Sequence, residues 1–272
     1  MNGIINLFRQ MYYNNKLISC KFKSSKKFID FCLNQQGGKN TYSVDYNNST
    51  YKFKRNEDDD MIILSSSDSK QNECVGIHID KKLKIATIQS INASTPNCVH
   101  LQTKVGTHLL AIIFKVLKKY KEKLGINWIV LSDQSYLSCA SKIVELSYLS
   151  VLTSGHTWYG KYGFRPIQYQ NTDSTIKVIP NEYFLNAYNN NLKIMKITTI
   201  NQIKWSNYIH NEKLLKALEK VITNNPSMLV KDFIKNILTD WDKNCLLLSE
   251  SYLKLFADIG LVYTGSLYGL QI

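Results

Sequence analysis

The stretch 105-VGTHLLAIIFKVLKKYKEKLGINWIVL-131 decides the fold. Its apolar residues Leu109, Leu110, Ile113, Leu117, Tyr120 and Leu124 recur at three- and four-residue intervals, and Lys115, Lys118, Lys119 and Lys121 fill much of the rest. That period predicts an amphipathic helix of about five turns, stopped by Gly125. Residues 127–131 follow as a short apolar strand. Upstream, residues 74–79 and 84–91 predict a hairpin around Asp80-Lys81-Lys82. Strand, glycine-containing loop, long helix and strand, in that order, imply a βαβ crossover whose two strands run parallel in one sheet.

The flanks extend this pattern. Residues 17–22 read as a strand and 25–33 as a helix ended by Gly37-Gly38. Strands are expected at 50–54 and 61–65, with an acidic turn at 57–60 and a polar loop at 65–72 between or after them. Residues 136–152 read as a helix broken by Ser154-Gly155. Thr157 caps a short helix to Tyr162, Gly163 ends it, and 164–168 begins a strand. The polar, Asn-rich span 171–191 reads as a long loop with local structure at 183–188, and 192–197 as a strand. Three apolar stripes make 201–260 largely helical. Residues 261–272 read as a strand pair around Gly265.

Composition bounds the class. A chain of 272 residues with 44% hydrophobic residues, 17 Tyr, 10 Phe and 4 Trp can bury a sizeable core, which argues against disorder. No run approaches the roughly 20 apolar residues of a membrane-spanning helix, so no membrane partner is expected. The N-terminus lacks the basic, apolar and small-residue pattern of a secretory signal. The six cysteines form no Cys-x-x-Cys pair and no zinc-ligand spacing with histidine, so no metal is expected. They read as reduced, buried thiols of a cytoplasmic protein. The net charge of +13 attracts anions. Nucleic acid is not favoured, because no nucleic-acid fold signature accompanies the lysines and aromatics are not interleaved with those of 115–123.

Two segments carry chemistry. Gln102, Thr103, Lys104, Val105, Gly106 and Thr107 lie at the head of the long helix. Unpaired N–H groups and the positive dipole end there suit a diphosphate, with Gly106 allowing close approach and Lys104 adding charge. Downstream stands Trp158-Tyr159-Gly160-Lys161-Tyr162-Gly163-Phe164. Hairpin strand, helix-head loop and this aromatic-Tyr-x-Lys-x-Gly-Phe segment resemble, in that order, the GNAT superfamily of acyl-CoA-dependent N-acetyltransferases. The resemblance is clearest over 60–170. It implies an α/β (α+β) fold with a mixed central sheet flanked by helices over 1–200, and a helical C-terminal extension over 201–272. It also implies acetyl-CoA as acyl donor and an amine acceptor, small molecule or protein. Tyr159 would be the general acid for the leaving thiolate, and Phe164 would pack under the cofactor arm. In the helix-head pattern of that family, Lys104 stands where the first glycine belongs and Leu101 where Arg or Gln belongs.

The base is read from the residues themselves. The family often carries a carboxylate on a central strand, but residues 85–93 offer only Thr87, Gln89, Ser90 and Asn92. Asp133 closes the strand after the long helix, where α/β sheets place active groups. It is the first candidate base, with an N-cap role as the alternative. His156, three residues before Tyr159, is the second. The expected activity is acetyl transfer from acetyl-CoA to an amine. The alternatives are a non-catalytic module of the same fold and a basic nucleic-acid-associated protein.

Overall fold

In the computed structural model, the described residues are 10–13, 16–19, 41–56, 60–65, 73–92, 98, 104–140, 142–172, 175–210, 212–239, 245–247, 249 and 251–272. The helix expected at 25–33 lies outside them. Among the described residues the chain is a mixed α/β protein with parallel and antiparallel strand pairs and seven α-helices. It divides into two compact units, Met1–His78 with Ser90–Tyr120 and Ile79–Gln89 with Lys121–Ile272. This division differs from the expected split at residue 200.

In the first unit, β1 (Gln10–Tyr13) pairs with β2 (Lys16–Ser19). Strands β3 (Thr41–Tyr46), β4 (Ser49–Asn56), β5 (Met61–Ser65) and β6 (Glu73–Asp80, up to His78) form an antiparallel run. Asn47 and Asn48 turn β3 into β4 with φ of 47° and 60°, the left-handed pair a tight hairpin needs and asparagine tolerates. Alternation puts Tyr42, Val44, Tyr51, Phe53, Ile62 and Leu64 in the core. The predicted helix is α1 (Val105–Lys119), which ends at Lys119 instead of running on to Leu124 and buries Leu109, Leu110, Ile112, Ile113, Val116 and Leu117. Its lysines lie flat rather than pointing freely outward: Lys115 Nζ donates to the Asp45 carbonyl at 3.2 Å and Lys119 Nζ to that of Ser43 at 3.0 Å.

In the second unit the strands run β7 (Ile85–Ile91, up to Gln89), β8 (Trp128–Ser132), β13 (Leu267–Gln271), β11 (Arg165–Thr172) and β12 (Thr175–Pro180). The pair β7–β8 is parallel, as the βαβ reading requires, and the other pairs are antiparallel. Helix α2 (Lys121–Leu124) precedes Gly125. Helices α3 (Leu146–Ser154), α4 (Glu182–Ile197), α5 (Glu212–Asn224), α6 (Val230–Thr239) and α7 (Tyr252–Asp258) share a core that includes Leu149, Leu152, Trp205, Val230, Ile234 and Leu255.

Several expectations are corrected here. Residues 136–152 are not one helix: β9 (Tyr136–Cys139) and β10 (Lys142–Glu145) form a hairpin before α3 begins. Inward-facing Leu137, Cys139 and Val144 pack on the helical core, and that burial outweighs local helix preference. Residues 171–191 are not a loop, nor 192–197 a strand. They hold the end of β11, then β12 and α4, which Asn181 caps by accepting the Phe184 N–H at 3.2 Å. The Asn-rich composition hides a structural amide. Fully buried Asn191 donates to the Val262 carbonyl at 2.8 Å and accepts the Val262 N–H at 3.0 Å. The strand pair expected over 261–272 is a single strand, β13, seated between β8 and β11.

The cysteine reading is also corrected. Cys74 is bonded to Cys98 and Cys139 to Cys245. Disulfides persist where thiols are oxidised, so the cysteines give no argument for a reducing compartment. Among the described residues no helix is long and apolar enough to cross a membrane.

Candidate active site

In the second unit, β8 ends at Ser132 and the next residue is Asp133, whose N–H donates to the Ser266 carbonyl at 2.8 Å. Its side chain folds back in an Asx turn: Oδ1 accepts the Ser135 hydroxyl at 2.6 Å and the Ser135 N–H at 3.3 Å. The second oxygen, Oδ2, is buried and has no hydrogen-bond partner. Asp133 is only 5% exposed, although Ser132 and Gln134 on either side are exposed. Burial therefore raises its pKa, opposed by the two Ser135 bonds. Asp133 does not cap a helix, since the hairpin β9–β10 follows it.

Tyr159 lies on a 3-10 turn, Trp158–Tyr162. Gly155 and Gly163 bracket this segment with φ of 80° and 95°, a region that favours glycine. At Gly155 a Cβ would also stand 2.7 Å from the Leu192 backbone. The Tyr159 ring meets Trp158 edge-on at 4.9 Å and Phe164 at 6.0 Å. Its hydroxyl is pushed up to about 12, first by burial and then by the charge of Asp133. The expected acid and the first candidate base thus sit within electrostatic reach of each other, in one unit. Phe164 is fully buried beneath the turn.

His156 has a different setting. Its Nδ1 donates to the Thr157 carbonyl at 2.9 Å, and its ring stacks on Tyr188 at 6.2 Å. Arg165 contacts the same Tyr188 ring, 4.8 Å from its centroid, and its Nη1 donates to the carbonyls of Gly160 at 3.1 Å and Phe164 at 2.8 Å. Together these side chains brace the turn that carries Tyr159. Two further phenols feel the Asp133 charge. Tyr268 is fully buried, donates to the Gly265 carbonyl at 2.8 Å and shares a 2.7 Å bond with Thr264. Tyr263 stacks on Tyr148 at 4.9 Å. Burial is the leading cause of the raised pKa of both, with Asp133 contributing.

The helix-head residues belong to the first unit. Gln102 and Thr103 lie outside the described residues. Lys104 takes a left-handed φ of 54° as the N-cap of α1, makes no side-chain cap bond, and no acidic residue follows in the first turn. Its carbonyl accepts the N–H groups of Thr107 at 2.9 Å and His108 at 3.2 Å, so Thr107 offers no amide to a ligand. Val105 and Gly106 hold the first two helix positions. Among the described residues the start of α1 carries no side-chain cap and no acidic residue in its first turn, which fits an anion such as a diphosphate. His108 bonds Tyr46 Oη through Nδ1 at 2.7 Å.

Arg165, Tyr188, Tyr263 and Tyr268 escape a sequence reading. Arg165 stands next to Phe164 and adjacency could have flagged it. The tyrosines lie up to 135 residues from Asp133 and carry no local signal. Comparison of the chain with protein-family models, with curated proteins and with solved structures finds no match.

Proposed function

We propose that the chain is an acyl-CoA-dependent N-acyltransferase of GNAT-like arrangement, with Asp133 as base and Tyr159 as acid. The observation that carries this reading is the buried Asp133 carboxylate, with one unpaired oxygen, within electrostatic reach of the protonated Tyr159 phenol. The parallel β7–β8 pair around α1 in the sequence and the Trp158–Tyr162 turn leading into β11 support it. Acetyl-CoA would supply an activated thioester.

Asp133 takes a proton from the acceptor ammonium. The freed nitrogen lone pair forms the amide bond as the carbon–sulfur bond breaks, and Tyr159 gives its hydroxyl proton to the sulfur. The second amine proton restores the phenol, and Asp133 sheds its own to solvent. The two groups are coupled in a useful sense. While Asp133 is ionised it raises the Tyr159 pKa, keeping the acid protonated. Once Asp133 is neutral that contribution vanishes, and Tyr159 becomes a stronger donor when the thiolate leaves.

The two disulfides favour a compartment in which thiols oxidise over the cytoplasm. The activity is tested by thiol release from acetyl-CoA with primary alkylamines. Tyr159→Phe is expected to lower turnover about 10²–10⁴-fold, with calorimetric acetyl-CoA affinity retained. Full turnover in that variant removes Tyr159 from the chemistry.

A further inference from the structure

Although the chain carries a net charge of +13, the surroundings of Asp133 are acidic and aromatic. Asp133 and Glu145 are held together by backbone: the Leu146 N–H donates to the Ser135 carbonyl at 2.9 Å, linking the residue after Glu145 to the residue that binds the Asp133 carboxylate. The stacked rings of Tyr148 and Tyr263 are 4.9 Å apart and nearly parallel, at 10°. Tyr252 and Phe256 meet Tyr148 edge-on at 6.0 Å and 4.9 Å. Among the described residues neither Asp133 nor Glu145 is in an ion pair. Asp133 is 5% exposed and its Oδ2 is buried without a hydrogen-bond partner, whereas Glu145 is exposed. A buried carboxylate with no countercharge is costly unless a cation meets it, and tyrosine faces attract alkylammonium groups.

We infer that Asp133, Glu145 and the Tyr148–Tyr263 stack form a subsite for an aliphatic diamine, one ammonium at Asp133 and the second at Glu145. The Tyr263 hydroxyl is raised first by burial, then by Tyr148, Glu145 and Asp133. Glu145 likewise contributes to the raised pKa of Tyr148, after burial. A monoamine would satisfy only the buried charge. The fate of the amine at Asp133 rests on the acyl-transfer reading; the binding of the diamine does not.

The test is calorimetry on the full chain with butylamine, 1,4-diaminobutane and a short Lys-Lys peptide, each without acetyl-CoA, followed by thiol-release kinetics. The diamine is expected to bind roughly threefold or more tightly than butylamine, the size of an exposed ion pair. In Glu145→Gln it should fall to the monoamine's affinity; this exposed substitution leaves the core untouched. Asp133→Asn should weaken both amines by about thirtyfold, as loss of a buried charge partner does. Equal binding of monoamine and diamine, no loss in Glu145→Gln, or binding of the peptide alone overturns the subsite. Diamine preference without acetylation of any amine upholds the subsite and overturns the acyl-transfer reading instead.

Discussion

Asp133 is buried, with one oxygen bonded to Ser135 and the other to nothing. Because burial raises its pKa, the folded chain holds a proton that the unfolded chain has already released once pH passes the ordinary carboxylate value of about 3.9. The folded state binds more protons, so this residue's contribution to stability falls as pH rises from that value through its raised folded pKa, and is then constant. Asp133→Asn lacks the titration. Its stability relative to the natural chain should therefore improve from pH 4 to pH 8, as read from paired thermal melts, while its turnover is lost. A difference that stays flat over that range would mean that Asp133 is not perturbed. The same variant removes the charge that helps raise the Tyr159 hydroxyl. Its ionisation, isolated by subtracting the ultraviolet titration of Tyr159→Phe, should move below about 12 yet stay above 10, because burial is the larger cause.

The 3-10 turn Trp158–Tyr162 was legible in the sequence because its determinants are local: an aromatic run, Gly155 before it and Gly163 after it. Helix α1 was legible for the same reason, its period being written over four turns of contiguous chain. The hairpin β9–β10 was not, since Leu137, Ser138, Cys139 and Val144 suit a helix equally well until tertiary packing and Cys245 select the strands. Strand β12 and helix α4 were hidden by asparagines whose roles, a cap at Asn181 and a buried backbone mimic at Asn191, appear only in three dimensions. Asp133 and Tyr159 could each be nominated, but their proximity could not be read from residues 26 positions apart. Arg165 shows what such a reading misses. It joins the carbonyls of Gly160 and Phe164 and covers Tyr188. Arg165→Ala should cut turnover about tenfold by misplacing Tyr159, with little change in substrate KM and a small loss of Tm. Arg165→Lys, which keeps the charge but not the fork, should recover only part of the rate. An Arg165→Ala chain with normal turnover would make the brace purely structural.

Across the whole chain, the two disulfides close loops of very different length. Cys74 and Cys98 are 24 residues apart, whereas Cys139 and Cys245 are 106 apart and tie the hairpin after Asp133 to the helical tail. Loop-closure entropy in the unfolded chain makes the longer link the stronger one, about 5 kcal/mol against about 3.5. The paired variant Cys139→Ser with Cys245→Ser should therefore lower Tm more than Cys74→Ser with Cys98→Ser, and a reducing agent should lower the Tm of the natural chain by about the sum. The longer link also fixes the segment that sets the distance from Asp133 to Glu145. Its loss should weaken diamine binding even at temperatures where the core of Leu149, Val230 and Leu255 remains folded, whereas loss of the shorter link, which lies in the other unit, should leave that binding as it was. Equal Tm losses for the two variants, or diamine affinity insensitive to both, would show that the Cys139–Cys245 bond neither carries the larger entropic share nor holds the subsite in register.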